Sequence, residues 1–247
     1  MMETKYLYLI VMFASLLVPF SRSFEKRVAY FKSFKALALG VFIVSGIFLI
    51  WDIIFTHLGF WGFNPRYLSG IYLFNLPLGE WLFFIVIPFC SIFIYRVYNY
   101  FVPTDYLAKA TKHISNFLIG FSVGLAVVYY DRWYTVLTFA SLAALIALHK
   151  YVLRVPWLGK FYMSYAIVLV PFFIVNGILT GSGLEEEIVW YNADEMIGTR
   201  IFTVPFEDAF YGLVLILGIC TLYEHFGKKW NQPWAYEIRT EKGDSSI

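Results

Sequence analysis

The sequence predicts an all-α integral membrane protein of seven transmembrane helices, built as two parallel three-helix repeats joined by a connecting helix. Composition, run length and a duplicated motif predict it. Hydrophobic residues are 60% of the 247 and charged residues 15%, where a soluble domain has about 45–50% and about 25%. Aromatic residues reach 21%, more than two interfacial belts of Trp and Tyr use, which leaves rings to line an interior. Seven apolar runs are long enough for about 30 Å of hydrocarbon. Finally, Leu76-Pro77-Leu78-Gly79-Glu80-Trp81 returns 128 residues later as Val204-Pro205-Phe206-Glu207-Asp208-Ala209.

The first run, Tyr6 to Phe20, is short and resembles a signal peptide, but Pro19-Phe20-Ser21-Arg22 follows it instead of a small-residue cleavage site, so it reads as a helix. The second runs from Phe34 to Ile54. The third, Pro77 to Phe101, starts at a proline whose fixed φ suits the first helical position, and Pro88 should kink it. The fourth, Ile114 to Tyr130, carries Gly120 and Gly124 at a spacing that permits a close crossing. The fifth spans Tyr134 to Tyr151. The sixth, Phe161 to Thr180, contains Pro171, and the seventh, Pro205 to Phe226, repeats the proline start.

At the offset of 128, Asn64 meets Asn192, Pro77 meets Pro205, Glu80 meets Asp208 and Tyr95 meets Tyr223. The predicted organisation is therefore a first repeat over 1–104, a connecting helix over 105–131, a second repeat over 132–230 and a cytoplasmic tail over 231–247. One intervening helix makes the halves parallel, which brings the two acidic helix starts to the same side. Fifteen of the 19 Lys and Arg residues fall on the side away from the N-terminus. Cytoplasmic loops carry that excess, so the N-terminus is expected outside the cell membrane and the C-terminus in the cytoplasm.

An acidic side chain in a membrane helix costs roughly 2.5–3.5 kcal/mol at the helix centre and less near its ends. Carboxylates in a first turn also suit the helix dipole, so capping alone is one account of them. Clustering argues for more. Glu207 and Asp208 point about 100° apart, so at least one of them faces the bundle. Carboxyls crowded in a medium of low dielectric cannot all ionise, and one that keeps its proton can protonate a weakly basic carbon–carbon double bond. The resulting cation can be held by ring faces, for which Trp81, Phe84, Phe210 and Tyr211 are the candidates, plain packing being the alternative for each. Asn64, Asn192 and Arg200 lie in the loops that could close such a site. Asp52 falls between the second and third helices in the same reading, and Glu185 to Glu187 read as a solvated face.

Other classes find no support in the residues. No nucleic-acid module is present. Cys90 and Cys220 lack metal-ligand spacing and read as small core residues, so no metal is expected. A retinal protein needs a lysine within its last helix, and the seventh run has none before Lys228.

Trp190-Tyr191-Asn192, Gly198-Thr199-Arg200-Ile201, PFEDAFYG and Leu222-Tyr223-Glu224 resemble the C-terminal half of the membrane-integral lycopene cyclases. Phe60-Trp61-Gly62-Phe63-Asn64-Pro65-Arg66-Tyr67 and PLGEWLFFIVIPF resemble the other half. In that family the halves occur as separate partners or fused, as the length suggests here. The resemblance implies conversion of the linear ends of lycopene, or a related linear carotenoid, to β-ionone rings by redox-neutral cyclisation. It also implies Glu207 and Asp208 as acid and base, with Glu80 supporting them. Gly79 departs from the family's first motif, where an acid is common, and shifts weight to the second half. No Gly-x-Gly-x-x-Gly marks a flavin site, and a redox-neutral isomerisation needs no electron carrier, so no cofactor is expected. The alternatives are a non-catalytic carotenoid- or lipid-binding membrane subunit, and a proton-coupled transporter. Oligomeric state is not legible in one chain.

Overall fold

The structure, a computed structural model, describes residues 4–241. The end of the predicted tail, with Lys242 of the charge count, lies outside the described residues. The helices are α1 Leu7–Arg22, α2 Phe34–Leu58, α3 Leu78–Phe101, α4 Thr111–Val128, α5 Trp133–Ala147, α6 Leu158–Leu179, α7 Phe206–Lys229 and α8 Tyr236–Glu241. Among the described residues six of these, α2 to α7, are long and apolar enough to cross a membrane, and α1 is a shorter apolar helix. The chain is thus a multi-pass, predominantly helical membrane protein.

Two boundaries differ from expectation for local reasons. Helix α2 runs to Leu58, where Gly59 takes φ +76° and its N–H closes on the carbonyls of Phe55 and Thr56. Asp52 therefore lies inside a membrane helix and not in the loop after it. Pro77 and Pro205 sit just outside α3 and α7 in extended backbone, held by pairing with Tyr72 and Arg200. Glu80 and Asp208 are consequently the third residues of their helices, and Glu207 the second.

Short extended segments lead into α3 and α7. Strands β1 Trp61–Phe63, β2 Tyr72–Leu73 and β3 Leu76–Pro77 precede α3, and β4 Val189–Tyr191, β5 Arg200–Ile201 and β6 Val204–Pro205 precede α7. Strands β2 and β3 form one hairpin and β5 and β6 another. Strands β1 and β4 pair antiparallel, Gly62 opposite Trp190, and so join the two loops. Every one of these bounds recurs 128 residues on, as do the bounds of α3 in α7. The backbone recurs with them: Gly70 and Gly198 take φ +81° and +84°, and the exposed tip residues Phe74 and Phe202 take +55° and +56°.

Helix packing follows side-chain size. Helices α2 and α7 cross closely because Gly40 and Gly218 lie in the seam; a Cβ on Gly40 would stand 3.2 Å from the Ile219 carbonyl, and one on Gly218 3.1 Å from Val44. At the offset of 128, the positions answering to Gly218 and Gly40 are Cys90 on α3 and Val168 on α6. The bulkier pair stands on the two helices between which a cavity lies, and Val168 lines it.

Candidate functional site

The cavity is bounded by α3, α6 and α7, with Tyr8 of α1, Asp52 of α2 and Tyr134 of α5 at one end. Along α6 its wall extends from Thr180 to Tyr165, about 22 Å at 1.5 Å per residue. It is a long slot. Three carboxyls, Asp52, Glu80 and Asp208, gather at the end near the first turns of α3 and α7, and the remainder is lined mainly by aromatic and aliphatic side chains.

A buried carboxyl without hydrogen-bond partners is costly, and each of the three is satisfied differently. Asp208 has the fullest set: Tyr134 Oη donates to Oδ1 at 2.6 Å, and Tyr191 Oη and Asn176 Nδ2 donate to Oδ2 at 3.0 and 3.2 Å. Burial and the neighbouring Asp208 carboxylate hold the Tyr191 phenol well above its ordinary pKa, so it stays a donor. Glu80 accepts from Tyr8 Oη at 2.5 Å. Asp52 accepts on Oδ1 from Trp61 Nε1 at 2.5 Å and from Thr56 Oγ1 at 3.4 Å, while its buried Oδ2 has no partner. The charges of Asp52 and Asp208 both act on Glu80.

Each half contributes an acid on its long helix and a tyrosine on the helix that opens it: Tyr8 to Glu80, Tyr134 to Asp208. Gly79 makes the first arrangement possible. The Tyr8 ring lies where its Cβ would be, 2.5 Å from the nearest ring atom, so no side chain fits there without displacing the donor to Glu80. The corresponding residue of the other half, Glu207, meets different neighbours. It is buried, accepts from Thr135 Oγ1 and Ile197 N at 2.6 Å each, leaves Oε2 without a partner, and is not among the residues lining the slot.

The structure brings Glu80, Asp208, Phe84 and Tyr211 together on the slot and places the other candidates elsewhere. Trp81 stacks on Phe74 of the β2–β3 hairpin and donates to the Leu73 carbonyl at 3.3 Å. Phe210 packs on Phe121 and Phe139, on the side of α4 and α5. Asn64 and Asn192 shape equivalent turns, accepting from Arg66 N at 3.1 Å and Asp194 N at 3.0 Å. Asn64 also donates to Glu186 at 2.7 Å, and Arg66 pairs with Glu185 at 2.9 Å. Arg200 is exposed, donates to the Thr203 carbonyl at 2.6 Å and lies over the Tyr191 ring.

Sequence reasoning missed the role of Asp52 and all of the side-chain donors. For Asp52 a signal existed, since it interrupts the apolar stretch Leu49-Ile50-Trp51-Asp52-Ile53-Ile54. For Tyr8, Tyr134, Tyr191 and Asn176 there was none, because tyrosines abound in this chain and only tertiary packing selects these. Among the described residues no His, Cys, Asp or Glu cluster has the form of a metal centre.

Comparison with known proteins gives one positive finding. A family model described as lycopene cyclase matches residues 5–98 and 131–226, more than half of the chain. No curated protein and no solved structure matches.

Proposed function

Given that the chain belongs to the lycopene cyclase family, we propose that it converts the linear ends of lycopene to β-ionone rings, through γ-carotene to β-carotene, by acid-catalysed, redox-neutral cyclisation inside the membrane. The observation that carries this reading is the slot itself: about 22 Å long, largely apolar and aromatic, with three carboxyls at one end. A linear polyene fits its length and its end group meets the acids.

Chemistry divides the carboxyls. Three donors on one carboxylate favour its charged form, which suits Asp208 to the role of base and of counter-charge to a carbocation. Glu80 and Asp52 share fewer donors and one unpartnered oxygen, and this pair supplies the proton. The acid protonates the terminal double bond, leaving a tertiary cation. The neighbouring double bond attacks it, closing the ring and moving the positive charge into the ring. Asp208 then removes a ring proton, so one proton enters, one leaves, and no electron is gained or lost. The faces of Phe84 and Tyr211 shelter the cation. Glu207 acts at one remove, tying the loop before α7 to α5 through Ile197 and Thr135.

The architecture that serves this reaction is two parallel three-helix repeats, α1–α3 and α5–α7, joined by α4, with seven spans and the N-terminus outside. The recurrence at 128 residues, the two matched segments flanking α4 and the 15-to-4 division of Lys and Arg support it.

The test is chromatography of pigments from lycopene-accumulating bacterial cells that express this chain alone, beside Asp208→Asn. Cyclic carotenoid is expected with the parent chain and a fall of at least about a hundredfold in the variant. Unchanged lycopene with the parent chain present in the membrane would overturn the enzyme reading in favour of a binding subunit.

A further inference from the structure

A second cavity lies at the opposite end of the spans, framed by the last turns of α3 and α7, the first turn of α6 and the C-terminal helix α8. Its wall carries three cations, Arg96, Lys160 and Arg239, against one carboxylate, Glu224. Arg96 and Lys160 are buried, with exposures of 9% and 1%. Charged side chains are rarely this deep unless paired.

Their protein partners are mostly neutral. Lys160 Nζ donates to the Val102 carbonyl and Arg239 Nη1 to the Asn99 carbonyl at 2.5 Å, which closes the C-terminal end of α3. Arg96 Nη2 donates to the Val28 carbonyl at 3.2 Å. Carbonyl dipoles satisfy donors without removing charge. Glu224 offsets one cation and is itself held by Tyr95 Oη at 2.9 Å and Tyr236 N at 2.8 Å. Asp105 acts on Lys160 from outside the wall. Two buried donors of the wall, Arg96 Nε and Trp234 Nε1, have no hydrogen-bond partner.

We propose that this cavity binds a phosphate group, presented by an anionic phospholipid headgroup or by free phosphate. A tetrahedral oxyanion supplies several acceptors around one centre, matches the planar fork of an arginine and completes a buried donor such as Arg96 Nε. Its charge offsets the cations that Glu224 leaves. The position at the ends of spanning helices is the depth of phospholipid headgroups, where basic pockets between helices hold anionic lipids. The site shares no residue with the carboxyl slot, so its test is independent of the cyclase reading.

Whole purified protein, stripped of lipid in detergent, is titrated with phosphatidylglycerol, phosphatidylcholine and inorganic phosphate, with native mass spectrometry and thermal melting as readouts. Saturable phosphatidylglycerol binding is expected, stronger than that of phosphatidylcholine, about tenfold weaker in Lys160→Met and tighter in Glu224→Gln. Displacement of the lipid by millimolar inorganic phosphate assigns the site to free phosphate; persistence of the lipid assigns it to a headgroup. Should Lys160→Met fail to fold, the direction of the Glu224→Gln change decides. Binding of neither anion, or binding that neither variant alters, overturns the proposal.

Discussion

At the scale of the residue, two adjacent acids on α7 have different surroundings. Asp208 faces the slot with three donors, and Glu207 faces α5 and the loop before α7. Substitution separates their roles. Glu80→Gln is expected to lower cyclisation at least about a hundredfold, because an amide has no proton to give to a double bond. Glu207→Gln keeps an oxygen to accept from Ile197 and should retain activity within about tenfold, with its loss appearing as lowered thermal stability. Pigment yield normalised to protein in the membrane checks both. A loss with Glu207→Gln as deep as with Glu80→Gln would return Glu207 to the reacting atoms. The acids could be found in the sequence because charge is rare in apolar runs. Their division of labour could not, since a 100° turn between neighbours says that they differ and not which faces inward.

At the scale of the element, the helices were legible because each apolar run ends in a change of residue chemistry, such as Gly59 after α2. The entries to α3 and α7 were less so. A proline start was expected, but a two-residue strand pairing draws Pro77 and Pro205 out of the helix, and no periodicity reports a pairing that short. The α2–α7 seam carries its own prediction. Gly40→Val would drive a branched side chain against the Ile219 carbonyl, and overpacking of this kind costs about 1–3 kcal/mol. A lower melting temperature in detergent is expected. The equivalent Val168→Gly on α6 should instead spare stability relative to Gly40→Val and alter how the slot accepts substrate.

At the scale of the whole molecule, the halves are interleaved: α2 packs on α7 and α3 on α6, and β1 is zipped to β4. The connection between α3 and α4 runs over exposed polar residues such as Pro103 and Thr104, and no residue of it lines the slot. Coexpression of fragments divided after Thr104 is therefore expected to rebuild pigment-forming activity, whereas either fragment alone should form none, because each leaves the acids of one half without those of the other. Sequence offset made this duplication visible in outline. It could not reveal the seam's asymmetry, which depends on Gly40 and Gly218 on one side meeting Val168 and Cys90 on the other.

That asymmetry has a consequence in time. A molecule of nearly two-fold design holds one slot, with its acids at a single end. A long substrate with two identical termini can present only one of them per visit. The second ring must await withdrawal and reinsertion in the reverse sense, so a half-finished product precedes the finished one, and the balance between the two is set by how quickly the chain lets go.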